Sequence, residues 1–236
     1  MSAPPPPLFG RTAVVAGASR GIGLAVAEEL MAAGAHVVRL ARSLADAEAE
    51  RRTDIRCDLS DAEQVASAAA RVAAAVGGLD ILVHNAGAFL LRNLVETTPE
   101  EFAGQIAGNL TGPFLVLRAF VPPMIARRRG LVVMIGSVAD HLPLPGNAAY
   151  VAAKHGLRGL HGALARELKG TGVRATLVSP GPVDTAIWDP VDPDARPGFL
   201  KRAAMLRPED IAEAVLFLAT RPDRVAIPEL HIEPRP

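Results

Sequence analysis

The sequence is short of several things, and each shortage excludes something. It has one cysteine, Cys57. No internal disulfide can form, so an oxidised secreted scaffold is excluded and the cytoplasm is the expected compartment. Six histidines are scattered, none beside cysteines at a zinc spacing, so no metal is expected. Net charge is missing too: 25 Lys+Arg balance 25 Asp+Glu, which gives no reason to expect nucleic acid or a membrane surface as a partner. No apolar run approaches the roughly 20 residues of a membrane span. The N-terminus lacks the apolar stretch of a signal peptide. There is no internal repeat and no break in composition, so a single domain is expected. Aromatic residues are few, with one tyrosine and one tryptophan.

Half of the 236 residues are hydrophobic, enough for a sizeable core at this length. Residues 1–8, with prolines at Pro4 to Pro7, read as an extended tail outside the fold. Residues 9–236 read as one domain. Short apolar runs at 12–16, 36–41, 54–58, 79–84, 131–135 and 173–178 are strand candidates. Amphipathic helices fall between them, and a last helix (208–219) and a short strand (227–232) close the chain. Ser60, with Glu63 three residues on, reads as the capping box of a helix over 61–76. Thr98-Pro99 starts a helix that runs to Ala126, and Pro113 inside it frees a carbonyl near Asn109 and predicts a kink there. Arg127 to Arg129 read as a solvated cap. Ser179-Pro180-Gly181 reads as the end of the sixth strand. Strands alternating with helices argue for an α/β, doubly wound parallel sheet of the Rossmann type.

Several stretches carry chemistry. Gly17-Ala-Ser19-Arg20-Gly21-Ile22-Gly23 lies between a strand and a helix. There, glycines let backbone approach a pyrophosphate, and the helix start offers free N–H groups. The second strand ends Ala41-Arg42-Ser43, without the acid that would hold a ribose 2′-hydroxyl. Arg42 and Arg20 suit a 2′-phosphate instead, which favours NADP(H) over NAD(H). Asp58 ends the third strand and faces the adenine side; Asn85-Ala86-Gly87 offers small residues for a ribose. Ser137 stands at the carboxyl end of a central strand, where open α/β sheets bind ligands. Tyr150 and Lys154 are one helical turn apart on one face, and the ammonium is expected to lower the phenol pKa. Phe89, His141, Leu142, Leu144, Trp188 and Phe199 are candidates to line a substrate pocket, most of them apolar. The irregular segment 186–207 reads as a lid over it.

Taken together these residues resemble the main, single-domain branch of the short-chain dehydrogenase/reductase family. The resemblance covers roughly residues 9–219. It rests on the glycine turn, His84-Asn-Ala-Gly87, Asn109, Ser137, Tyr150-Val-Ala-Ala-Lys154 and Pro180-Gly181, in the family's order and with thirteen residues from Ser137 to Tyr150. It implies hydride transfer between NADP(H) and a carbonyl or secondary alcohol. Tyr150 would be the general acid, and Ser137 would polarise the carbonyl. Lys154 would hold the nicotinamide ribose and depress the tyrosine pKa, and Asn109 would fix a water leading to Lys154. The glycines, Ser19, Ile22, Asp58, Leu59, Asn85, Ala86 and the turn Pro180, Gly181, Val183 and Thr185 would line the cofactor. A dimer or tetramer packed through the helices of Asn109 and Tyr150 is implied. The sequence departs from the family with Ala16 before the first glycine, His84 where asparagine is frequent, and an ending without the acidic-Gly-Gly pattern. A neutral, fairly hydrophobic small-molecule substrate is expected. The competing reading is a catalytically silent NADP(H)-binding regulator on the same fold.

Overall fold

The structure is a computed structural model that describes residues 4–235. Its centre is the run of parallel strands β1 (Thr12–Ala16), β2 (His36–Ala41), β4 (Arg52–Arg56), β5 (Ile81–His84), β6 (Gly130–Ile135), β7 (Val173–Pro180) and β8 (Glu229–Ile232). A short β3 (Ala47–Ala49) pairs antiparallel on the outer side of β4. Among the described residues these make one sheet in the order β3-β4-β2-β1-β5-β6-β7-β8. The order reverses between β1 and β5, so the loops after those two strands open away from each other and leave a crevice.

The central strands have side chains on both faces, and both faces are covered. Val14, Val38, Leu82, Val132 and Leu177 enter one core with α2 (Ala62–Val76), α4 (Gly112–Ala126) and α5 (Ala148–Glu167). Ala13, Val15, Val37, Val83 and Val133 enter the other with α1 (Gly21–Ala32) and α6 (Pro208–Ala219). This period of two is what a strand dictates. It explains why the strands read as unbroken apolar runs. Burying a leucine such as Leu30 or Leu157 contributes about 2 kcal/mol.

Several sequence expectations shift. The third strand candidate, placed at 54–58, sits two residues earlier, because Arg39 of β2 holds Asp54 with two bonds of 2.6 Å directly across the ladder. Cys57 and Asp58 therefore lie just beyond it, and burial raises the Cys57 thiol to about 11, so it is an inert core residue. The cap of α2 is Asp61, whose carboxylate accepts from the N–H groups of Glu63 and Gln64. Ser60 is not the cap; its hydroxyl and N–H both go to Asp58. β7 is not broken at Ser179 but continues through Pro180, held by pairing with β8. Arg127 to Arg129 are exposed at the end of α4, as a solvated cap should be, but Arg127 and Arg129 also turn inward with Arg11 to surround the buried carboxylate of Asp80. The proline tail ends at Pro7. Leu8 is buried in the second core and its N–H donates to Ala33 O.

The helix predicted to kink is α3 (Pro99–Ile106) joined to α4 by one π turn, Ala107–Thr111. Pro113, in the first turn of α4, has no N–H to continue the regular ladder. Asn109 sits in the wide turn, fully buried.

Candidate active site

The crevice at the carboxyl ends of β1 and β5 is built from backbone. Gly17 has φ +85°, and a Cβ there would run into the backbone of Ala86. A Cβ on Gly23 would meet Gly17 O and the Asn85 amide, and Asn85 Nδ2 donates to that same carbonyl at 3.1 Å. Gly21, φ +55°, lies against the Thr185 side chain. So the glycine turn, the Asn85–Gly87 loop and the turn after β7 close on one another. α1 begins with Arg20 at its cap position, with no side-chain cap and no acid in its first turn. Its first N–H groups and positive end are left for an outside anion. Beside the end of β2, an open cavity of about 650 Å³ is lined by Arg42, Ser43, Leu44, Ala45, Asp46, Arg56 and Gln64. Arg42 is largely exposed, and its guanidinium is 4.0 Å from Asp58. An uncapped helix start with Arg20 at its cap, and a second arginine exposed past β2, fit the phosphates of a dinucleotide. Leu59 commits its side chain to the core, so it offers a ligand only its backbone. Ser19 and Ile22 are half-buried on the glycine turn, and Val183 is buried at the far wall.

The carboxyl end of β6 and the start of α5 bring side chains. Ser137 comes one residue after β6, past Gly136, Tyr150 lies in the first turn of α5, and Lys154 is one turn further on. Lys154 Nζ is 5.7 Å from the centre of the Tyr150 ring and donates to Ile135 O at 3.2 Å. Asn109 holds the loop after β5: its Nδ2 donates to Ala88 O, Gln105 O and Gln105 Oε1, and its Oδ1 accepts from Ala88 N. Little of that side chain remains for a water.

The electrostatics correct one expectation. The tyrosine pKa is raised, not lowered. Burial pushes Tyr150 up to about 12, against a hydrogen bond from Ser137 that lowers it, with the Asp140 charge raising it further. Burial also brings Lys154 down to about 8, partly offset by Asp140. By the pH at which the phenol would ionise, the amine has already lost its charge and cannot favour a phenolate. At neutral pH the pair is therefore a phenol beside an ammonium.

The family model for short chain dehydrogenase matches residues 11–196 of this sequence. The chain belongs to that family. Short-chain dehydrogenases are oxidoreductases acting between C=O and CH–OH, and the curated relatives agree. The 3-oxoacyl-(acyl-carrier-protein) reductase FabG of Escherichia coli K12 is 36% identical over 220 residues, covering 89% of this chain and 90% of that protein. The 3-oxoacyl-(acyl-carrier-protein) reductase MabA of Mycobacterium avium is 36% identical over 218 residues, covering 91% and 85%. Among solved structures, a metagenomic short-chain oxidoreductase in complex with NADP is 37% identical, with TM-score 0.80, covering 98% of this chain and 99% of that one.

Of the residues picked from sequence, Asn109, Ser137, Tyr150 and Lys154 meet at one spot, and Gly87 lies between Asn109 and Lys154. Phe89 and Trp188 also converge there: Phe89 stands edge-on to Tyr150 and tilted against Trp188, each with ring centres 5.1 Å apart. His141 instead pairs with Asp140 and with the His231 ring, while Leu142 and Leu144 are exposed. The residues that sequence reading missed are Asp140, Arg158, Ser179, Glu229 and His231. The one available signal was Ser137-x-x-Asp140, a capping-box spacing, and that box is present.

Proposed function

We propose that this short-chain dehydrogenase is an NADPH-dependent carbonyl reductase acting on a neutral, fairly hydrophobic small molecule. The observation that carries the reading is the buried phenol of Tyr150, protonated at neutral pH, with a hydrogen bond from Ser137 and the Lys154 ammonium 5.7 Å from its ring centre. The cofactor, when bound, supplies the hydride. Tyr150 gives its proton to the carbonyl oxygen, and Ser137 donates a hydrogen bond to the same oxygen as charge builds on it. Lys154 keeps a positive charge beside the phenol, and Asn109 fixes the 87–88 loop over it. The glycine turn, Asp58, Leu59, Asn85, Ala86, Gly87, Pro180, Gly181, Val183 and Thr185 line the cofactor. Arg20 and Arg42 meet its extra phosphate, in keeping with the NADP complex of the related oxidoreductase. Phe89 and Trp188 give the substrate side an apolar wall, and segment 186–207, which carries Trp188, serves as its lid. The relatives named as 3-oxoacyl reductases are consistent with a ketone on an apolar chain.

A homo-oligomer is part of this reading; Phe114, exposed on α4, supports it, and sedimentation would measure it. A cytoplasmic site of action fits a protein whose one cysteine is a reduced, buried thiol, with no helix among the described residues long and apolar enough to cross a membrane. The deciding experiment is Tyr150→Phe. Turnover of ketones should fall by roughly 10²–10⁴-fold, with the Kd for NADPH nearly unchanged. Unchanged turnover refutes the role of Tyr150. Tight NADPH binding by the wild type, with no oxidation of it across a ketone panel, means a silent regulator instead.

A further inference from the structure

A buried carboxylate that this mechanism does not use sits under the loop that leaves β6. Asp140 is fully buried. Its Oδ2 accepts from Ser179 Oγ at 2.6 Å and from the Ser137 N–H at 3.2 Å. Its Oδ1 accepts from His141 Nδ1 at 2.7 Å and from Arg158 at 3.4 Å. Gly136 makes the space, since a Cβ there would collide with Asp140 Oδ2. Arg158 reaches on to Glu229 at 2.6 Å, and Glu229 is 3.6 Å from His231 Nε2. The His231 ring meets the His141 ring edge-on, centres 4.5 Å apart. One carboxylate thus ties the Ser137 backbone to β7, to α5 and, through Arg158, to β8.

Charge of that kind is kept in an interior only when every lone pair is used, and removing it disturbs whatever it holds. Here it holds the backbone of the residue that must meet the substrate oxygen, where misplacement of about 1 Å is costly. We propose that Asp140 is a positioning residue that fixes the Ser137 backbone for the substrate oxygen, and that its charge, acting on the Tyr150–Lys154 pair, holds the onset of alcohol oxidation to more alkaline pH. This rests on the assignment of Tyr150 and Ser137 above.

The electrostatic part has a definite sign. Burial pushes the Asp140 carboxyl up, but the bonds from Ser179, His141 and the Ser137 N–H outweigh it and hold it below the usual carboxylate range. It is therefore an anion across the working pH range. Its charge raises the pKa of both Tyr150 and Lys154. The other ionisable groups around this cluster are His141, Arg158 and His161, with Glu229 and His231 from β8, and His84 of β5 facing Lys154. Among these Arg158 opposes Asp140 most directly.

The test uses the whole enzyme and two variants of opposite sign. Tyr150 is the only tyrosine, so ultraviolet absorbance of tyrosinate reads its ionisation directly, with Tyr150→Phe as the blank. In Asp140→Asn the midpoint should fall by about one pH unit. The alkaline rise of alcohol oxidation should move down with it. The kcat for reduction at neutral pH should drop roughly tenfold, the equivalent of one charge-assisted hydrogen bond, while the Kd for NADPH stays within about threefold. In Arg158→Met, which keeps the carboxylate and should fold even if Asp140→Asn does not, the tyrosinate midpoint should rise. A midpoint, oxidation profile and kcat like the wild type in Asp140→Asn overturn the proposal; so does an unmoved midpoint in Arg158→Met. If Tyr150→Phe keeps its turnover, the functional assignment falls instead, and the tyrosinate titration still reports whether Asp140 controls that proton.

Discussion

On the β1–β2–β5 side of the crevice the working groups are backbone. They are the bare N–H groups at the start of α1, the glycines that let Ala86 and Asn85 come close, and a rim of exposed arginines. On the β6–β7–β8 side they are buried side chains: Tyr150, Lys154, Asp140 and Ser179, each with a defined hydrogen bond or ring contact. The first side is open and shaped by what is absent, so it suits a large ligand held by many weak contacts. The second is closed and shaped by what is packed, so it suits moving one proton at one place. Backbone needs no protonation state to work; a buried side chain does.

That contrast can be broken at its steric end first. Gly23→Ala places a methyl against Gly17 O and the Asn85 amide. NADPH affinity, followed by calorimetric titration, should fall about a hundredfold or more, since close-packed backbone cannot yield. An affinity within a few fold of wild type would mean the turn is not shaped by contact. His84 sharpens the boundary between the two sides, because it ends β5 yet feels Lys154. Burial, and then the Lys154 charge, bring its pKa down to about 3, and its Nε2 has no partner among the described residues. Below about pH 6.5 the unfolded chain takes up that proton and the folded one does not. Stability is therefore full above that pH and lost as pH falls toward 3. At pH 4.5 the loss assigned to His84 should be on the order of 2–3 kcal/mol, and urea midpoints of His84→Asn should lack it. Arg42→Asp comes next and should shift the ratio of kcat/KM for NADPH over NADH by roughly tenfold or more toward NADH. An unmoved ratio would take Arg42 out of the cofactor rim. The smallest effect concerns α2: Asp61→Ala should lower stability by about 1 kcal/mol and Ser60→Ala by less, in thermal melts.

How much of this could be read from sequence follows the same division. The glycine turn, Asn85–Gly87 and Tyr150-x-x-x-Lys154 are each short patterns that spacing alone marks, although the first two meet each other across 68 residues of chain. The kink at Asn109 was legible because Pro113 removes a specific bond, although its form as a π turn was not. β3 escaped because Ala47-Glu-Ala49 has neither branched nor aromatic residues; it exists because β4 has a free edge to pair. Ser60 and Asp61 are both good caps, and the choice went to Asp61 because Asp58 claims the serine. The Asp140 cluster was out of reach for a different reason. Its members, from Ser137 to His231, come from β7, α5 and β8 as well as the loop after β6, and nothing in their spacing announces that they meet. The pKa of Tyr150 failed for a related cause: the spacing gives the neighbour but not the burial, and burial decides its direction.

The ring contact between Phe89, Tyr150 and Trp188 has a practical consequence. The chain has one phenol and one indole, and a single benzyl group separates them. Excitation passed from the first to the second falls steeply with separation, so indole emission gauges the gap between the 186–207 segment and Tyr150. If that segment swings when a ketone enters, the protein's own glow changes, with no dye attached.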